Sequence, residues 1–110
     1  MGRYISTIGT ATASTVEVST TYTASVNDRI LADSSGGAFT ITLPPNADLL
    51  VGDIVQILDV TGNFSTNNVT VGRNSSKIQS ATEDLTLDVS NVALTLIYTG
   101  STYGWVIASS

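Results

Sequence analysis

Ala38-Phe39-Thr40-Ile41-Thr42-Leu43, followed at once by Pro44-Pro45-Asn46, is the stretch that decides the fold class. Apolar side chains at 39, 41 and 43 alternate with threonines at 40 and 42, the period of a strand that turns one face to a core and the other outward. β-Branched residues suit such a strand because they pack on a pleated surface and lose rotamer freedom in helices. The prolines stop it, since proline brings no ladder donor and restricts the residue before it. Phe39, Ile41 and Leu43 are therefore expected in the core, with Thr40 and Thr42 outside.

The same grammar continues in both directions. Upstream, Arg29 to Asp33 forms a run closed by the Ser34-Ser35-Gly36-Gly37 turn. Downstream, Asn46 to Val51 holds a hint of a helical turn, too short to nucleate a helix alone. Asp53-Ile54-Val55-Gln56-Ile57-Leu58-Asp59 is apolar on both faces apart from Gln56, the pattern of a central strand covered on two sides. Gly62-Asn63 and Asn67-Asn68 bracket a loop, Val69-Thr70-Val71 alternates again, and Gly72 to Ser76 turns. Ile78 is expected as a core contact between loops. Leu85, Leu87 and Val89 alternate with Thr86 and Asp88; Leu94, Leu96 and Tyr98 alternate with Thr95 and Ile97; Trp105 and Ile107 follow the Thr99-Gly100-Ser101 turn. The last two long runs predict a hairpin with Trp105 covering one end of the core. Short strands at this spacing predict an all-β domain over residues 27–110, a β-sandwich or jelly-roll-like unit of short antiparallel strands.

Residues 1–26 differ from the rest. MGRYISTIGTATASTVEVSTTYTASV is rich in Thr, Ser and Ala, holds one acid and one base, and alternates only at Val16, Val18 and Tyr22. It reads as an extended N-terminal arm that docks onto something else; the alternative is an edge strand of the same sheet.

Composition narrows the function. With 110 residues one core suffices. Serine and threonine fill 31 positions. Four basic residues (Arg3, Arg29, Arg73, Lys77) stand against nine acids, a net charge of −5 without a basic cluster, so no nucleic-acid partner is expected. No secretory leader is visible at the N-terminus. The longest apolar runs are four residues against the roughly 20 that cross a bilayer as a helix, so no membrane association is expected.

The absence of histidine and cysteine removes Ser-His-Asp and Cys-His catalysis and the usual ligands of zinc, copper and haem. Three weaker possibilities remain. A carboxylate pair for glycoside cleavage would draw on Asp28, Asp33, Asp48, Asp53, Asp59, Glu83, Asp84 and Asp88, but most of these adjoin turns, where aspartate satisfies backbone donors. A Ser-Lys dyad of Lys77 with Ser75 or Ser76 would leave the lysine solvated on a polar turn. Calcium at Glu83 and Asp84 lacks the regular loop spacing. Gly36-Gly37 belongs to no phosphate-binding motif. Three Asn-x-Ser/Thr patterns, at Asn63, Asn68 and Asn74, are those expected by chance in so Ser/Thr/Asn-rich a chain. No catalytic, cofactor or metal residue is therefore assigned, and no enzyme is expected. Sugar stacking on Tyr4, Tyr22, Tyr103 or Trp105 is the alternative to core packing of those rings.

The words DRILADSSGGAFTITLPPNA, VGDIVQILDVTGNF, NNVTVGRNSSKIQ, EDLTLDVSNVALTLIY and GSTYGWVI, spread over Asn27 to Ile107, resemble a module of bacteriophage virion proteins, especially tail-fibre and head-surface proteins. The resemblance implies a compact β-sandwich or jelly-roll-like unit used structurally or adhesively, commonly as a homotrimer, with no catalytic residues to carry over. A long fibre is not expected, because no heptad series, collagen-like repeat or β-helix repeat is visible. The expectation is a capsid decoration (cement) protein or small tail knob on the virion, anchored to capsid or tail through the N-terminal arm; a carbohydrate-binding module for host attachment is the alternative.

Overall fold

The computed structural model describes residues 14–109. These form nine strands: β1 (Ser14–Val18), β2 (Tyr22–Thr23), β3 (Asp28–Ala32), β4 (Phe39–Thr42), β5 (Ile54–Asp59), β6 (Val69–Gly72), β7 (Leu85–Leu87), β8 (Ala93–Tyr98) and β9 (Trp105–Ser109). The only helical element among them is a single 3-10 turn, Asn46–Asp48, where the hint of a helical turn lay. The fold is all-β.

Two sheets divide the strands: a five-stranded sheet in the order β1-β3-β5-β8-β9 and a four-stranded sheet in the order β2-β4-β6-β7. Both are mixed, which corrects the expectation of antiparallel strands. β1, β3 and β5 pair in parallel, as do β2, β4 and β6. Antiparallel pairing begins only where β5 meets β8, β6 meets β7 and β8 meets β9. From β1 to β6 the chain alternates between the sheets, so each parallel crossover runs through the other sheet where an α/β protein would use a helix. The chain thus winds through three two-strand coils before the β7–β9 segment reverses direction. No β-helix repeat was visible because the coils differ in length: Val16, Ile30 and Ile57, paired in register, lie 14 and then 27 residues apart.

One core joins the sheets. Ile30, Ala32, Val55, Ile57, Leu94, Leu96 and Trp105 from the larger sheet share a single buried cluster with Ile41, Val69, Val71 and Leu87 from the smaller. Ile41 and Leu43 are fully buried, as the alternation requires, while Phe39 is half-buried against the cluster's edge. Ile78 is buried between loops as expected. Val89 breaks the pattern: β7 ends at Leu87 and Val89 is 65% exposed, because the chain turns away toward β8. β8 and β9 form the expected hairpin. Trp105 is fully buried, its ring tilted against Tyr98 at 5.5 Å between centroids.

From Ser14 onward the expected arm is part of the sheets. β1 pairs with β3 over five residues and β2 with β4 over two, and Val16, Val18 and Tyr22 pack against the core. This is the edge-strand alternative; residues 1–13 of the arm lie outside the described residues.

Candidate functional site

The acidic residues are where chemistry would have to be, and their positions follow from local backbone needs. Asp59 closes β5, and the chain there turns sharply through Gly62, at φ 71°. A turn this tight leaves several N–H groups pointing inward without partners, and a short carboxylate can gather them. Asp59 does so: its carboxylate accepts hydrogen bonds from the N–H groups of Gly62 (2.9 Å), Asn63 (3.2 Å), Phe64 (3.1 Å) and Asn91 (2.9 Å). The last bond ties the turn after β5 to the approach of β8. Burial pushes the Asp59 carboxyl up, but the four N–H donors, from Asn91, Phe64, Asn63 and Gly62, outweigh it and hold the group below its ordinary range. With four N–H donors on its two oxygens, the carboxylate holds the turn as a buried anion.

Because Asp59 is held ionised, its contribution to stability is present above the ordinary carboxylate pKa, about 3.9 in an unfolded chain, and is lost as pH falls through the lower folded value. Asp59→Ala should cost about 3 kcal/mol at neutral pH, since buried donors lose a charged acceptor. Asp59→Asn should cost less, because an amide oxygen still accepts. Urea titrations at pH 7 and near pH 3 check both points: the gap between wild type and Asp59→Ala should narrow at the lower pH.

Asp28, Asp33, Asp53 and Asp84 also accept from nearby donors. Asp28 is buried at the start of β3 and accepts from the Tyr22 hydroxyl (2.6 Å) and the Ser25 N–H (2.9 Å), joining β3 of the larger sheet to β2 of the smaller. That hydrogen bond, with burial and the adjacent negative charge, pushes the Tyr22 hydroxyl up to about 12. Asp33 accepts from the Ser35 hydroxyl (2.6 Å) and N–H (2.9 Å), and these bonds hold its carboxyl low. Asp53 accepts from Leu50 N–H and Asp84 from Arg73 N–H. Asp48, Glu83 and Asp88 are exposed. Among the described residues no group of three or more acidic side chains is placed to hold a metal ion.

Lys77 and its neighbouring serines do not form a dyad. The Lys77 ammonium donates to the Thr102 carbonyl at 3.4 Å, the buried Ser76 hydroxyl donates to Asn46 Oδ1 at 3.1 Å, and Ser75 is exposed. The amides of Asn68 and Asn74 donate to the carbonyls of Phe64 and Leu43, so in two of the three glycosylation-like patterns the acceptor nitrogen is engaged in the fold.

The aromatic candidates separate. Trp105 is enclosed, Tyr22 is engaged with Asp28, Tyr103 is 58% exposed, and Tyr4 lies outside the described residues. Phe39, packed against the edge of the core as expected, also lines a shallow groove of about 510 Å³ beside Asp33, Ser35 and Thr21. A second groove of about 520 Å³, between β7 and the β8–β9 hairpin, is mainly aliphatic, with Leu85, Leu87, Leu94 and Ile107 along it. Neither groove combines the aromatic and amide groups that an encircling sugar site uses.

The described residues therefore define an all-β module whose carboxylates, wherever they have partners, clamp turns. No protein-family model matches the chain. No curated protein matches it significantly.

Proposed function

We propose that this protein is a structural surface component of a bacteriophage particle, a capsid decoration (cement) protein or a small tail knob or fibre, held to capsid or tail through its N-terminal residues and assembled as a homotrimer. Its two sheets stack as a β-sandwich, a reading supported by the single core to which both contribute.

The observation that carries the proposal is how the residues of the virion resemblance are used. DRILADSSGGAFTITLPPNA supplies β3, β4 and the residues that enter the 3-10 turn; VGDIVQILDVTGNF supplies β5 and the Asp59 clamp; NNVTVGRNSSKIQ supplies β6 and Ile78. EDLTLDVSNVALTLIY supplies β7 and β8, and GSTYGWVI supplies the tight turn and the core tryptophan of β9. Each word supplies a strand, a turn or a clamp, and this use of the residues supports a structural role. Because β1 and β2 belong to the sheets, attachment in this reading falls to residues 1–13. A chain beginning at Ser14 should keep its strand circular dichroism yet fail to enter particles when it replaces the full chain in an infection; normal incorporation would contradict this mode of attachment.

A further inference from the structure

The stack of parallel coils has two ends, and the described residues close one of them. After β6 the chain reverses: β7 and β8 pair antiparallel with the last coil, β9 follows, and Gln79 covers part of the β9 edge. Its N–H donates to the Trp105 carbonyl and its Oε1 accepts from Ile107 N–H at 2.8 Å. The first coil has no such cover among the described residues. β1 and β2 are the outer strands of their sheets, each with one strand partner. Core rows lose their cover there. Ile30 and Ile57 are fully buried, but Val16 in the same row is half-buried; Ile41 and Val71 are fully buried, but Tyr22 in their row is half-buried. A strand edge of this kind is a template for a further strand, and a stack of coils needs something on its terminal member.

We propose that residues 1–13 of the same chain cover this end, docking on β1 and β2 as one more parallel coil. Register carries the argument. The first described coil lies against the second with an offset of 14 residues, from Ser14 on Asp28 to Val18 on Ala32. The same offset applied once more sets Arg3 on Glu17, Tyr4 on Val18 and Ile8 on Tyr22. Tyr4 and Ile8 then extend two rows that pack against the core, while Gly2, on Val16, adds only backbone cover. Arg3 comes to lie about one strand spacing, roughly 4.8 Å, from the exposed Glu17. Ser6-Thr7 falls on Thr20-Thr21, the polar pair that leads into β2, so polar and apolar positions agree around the coil. A shift of two residues either way, the smallest that keeps the faces, sets Ile8 or Tyr4 on exposed Thr20 and moves Arg3 to Thr15 or Ser19.

The connection suits the same occupant. Residues 24–27 return the chain from β2 to β3, and residues 10–13, a link of equal length, would return it from the added coil to β1. An intramolecular strand also meets its edge at high effective concentration, ahead of a strand from another molecule. This inference goes beyond the function proposed above: it concerns how residues 1–13 sit on the module and is read on purified protein, whereas that reading turns on location in a particle, so either can fail alone.

Cross-linking of the purified full chain is the test, and the chain has no cysteine to interfere. Arg3→Cys combined with Glu17→Cys should form a disulfide within one chain at least about tenfold faster than Ser6→Cys combined with Glu17→Cys, whose first cysteine lies three residues, about 10 Å, out of register. Urea unfolding gives an independent readout. Tyr4→Asp and Ile8→Asp should each lower the midpoint by roughly 1 M, because each puts a charge on an inward row. Ile5→Asp, opposite exposed Ser19, should leave the midpoint where it is. Equal cross-linking of the two cysteine pairs, disulfides formed between chains instead of within one, or midpoints indifferent to Tyr4→Asp and Ile8→Asp would overturn the inference.

Discussion

Replacing Trp105 with alanine should lower folding stability by about 3–5 kcal/mol, a large share of what a domain of this size has. The ring is fully enclosed and lies against Tyr98, its partner in the β8–β9 ladder. Its backbone is a junction as well: Trp105 N–H donates to the Lys77 carbonyl at 2.8 Å and its own carbonyl accepts from Gln79 N–H at 2.7 Å. The backbone at Trp105 is therefore held on both sides and cannot move inward to fill the space that alanine leaves, which keeps the cost within the range for large-to-small substitutions. Trp105→Phe separates packing from polarity. The indole N–H is buried without an acceptor among the described residues, a feature that costs about 1–3 kcal/mol in general. Phenylalanine removes that donor while retaining most of the apolar volume, so its loss should be far smaller, about 1 kcal/mol. Urea unfolding followed by circular dichroism measures both variants, and equal losses for Ala and Phe would contradict this account of the site.

Gly104→Ala should be comparably damaging, at about 4 kcal/mol, through backbone geometry alone. Gly104 closes the turn between β8 and β9 at φ +74°, a conformation that a side chain disfavours. A methyl group there would also sit 2.0 Å from the Lys77 carbonyl oxygen and 2.5 Å from its carbon. Those are backbone atoms, and the same carbonyl accepts the Trp105 N–H, so relief requires the 77–79 segment to leave the β9 edge. Gly36→Ala is the control: no atom lies within 4 Å of the added methyl and φ is unexceptional, so its effect should stay within about 0.5 kcal/mol. As Trp105 is the only tryptophan, its fluorescence follows unfolding in both glycine variants. A stable Gly104→Ala protein would mean that the turn is not held against Lys77.

These two sites mark where sequence reading succeeds and where it stops. Trp105 was legible because a large apolar residue in an alternating run after a turn has one economical place to go. Ile41 and Leu43 were legible for the same reason, since strand period alone assigns their face. Gly104 was not, because nothing in Tyr103-Gly104-Trp105 says that a carbonyl 27 residues earlier lies under the turn. Strand direction was also hidden. Alternation is the same in parallel and antiparallel pairs, and the coils that force parallel pairing differ in length, so no period announces them. Asp59 was recognisable as a turn aspartate, but its reach to Asn91 depends on bringing β5 beside β8. The doubly apolar pattern of β5 is informative in a different way. It predicted cover on two sides, and the described chain covers one. Val89 misled because alternation persists past the last paired residue of β7, where the ladder no longer gives it a meaning.

The most direct test of the central claim is to purify intact phage particles that encode this chain and locate it by electron cryo-microscopy. The account predicts ordered density for the nine-stranded module on the outside of the capsid or tail, with residues 1–13 nearest the particle. Particles that contain none of the chain would contradict it.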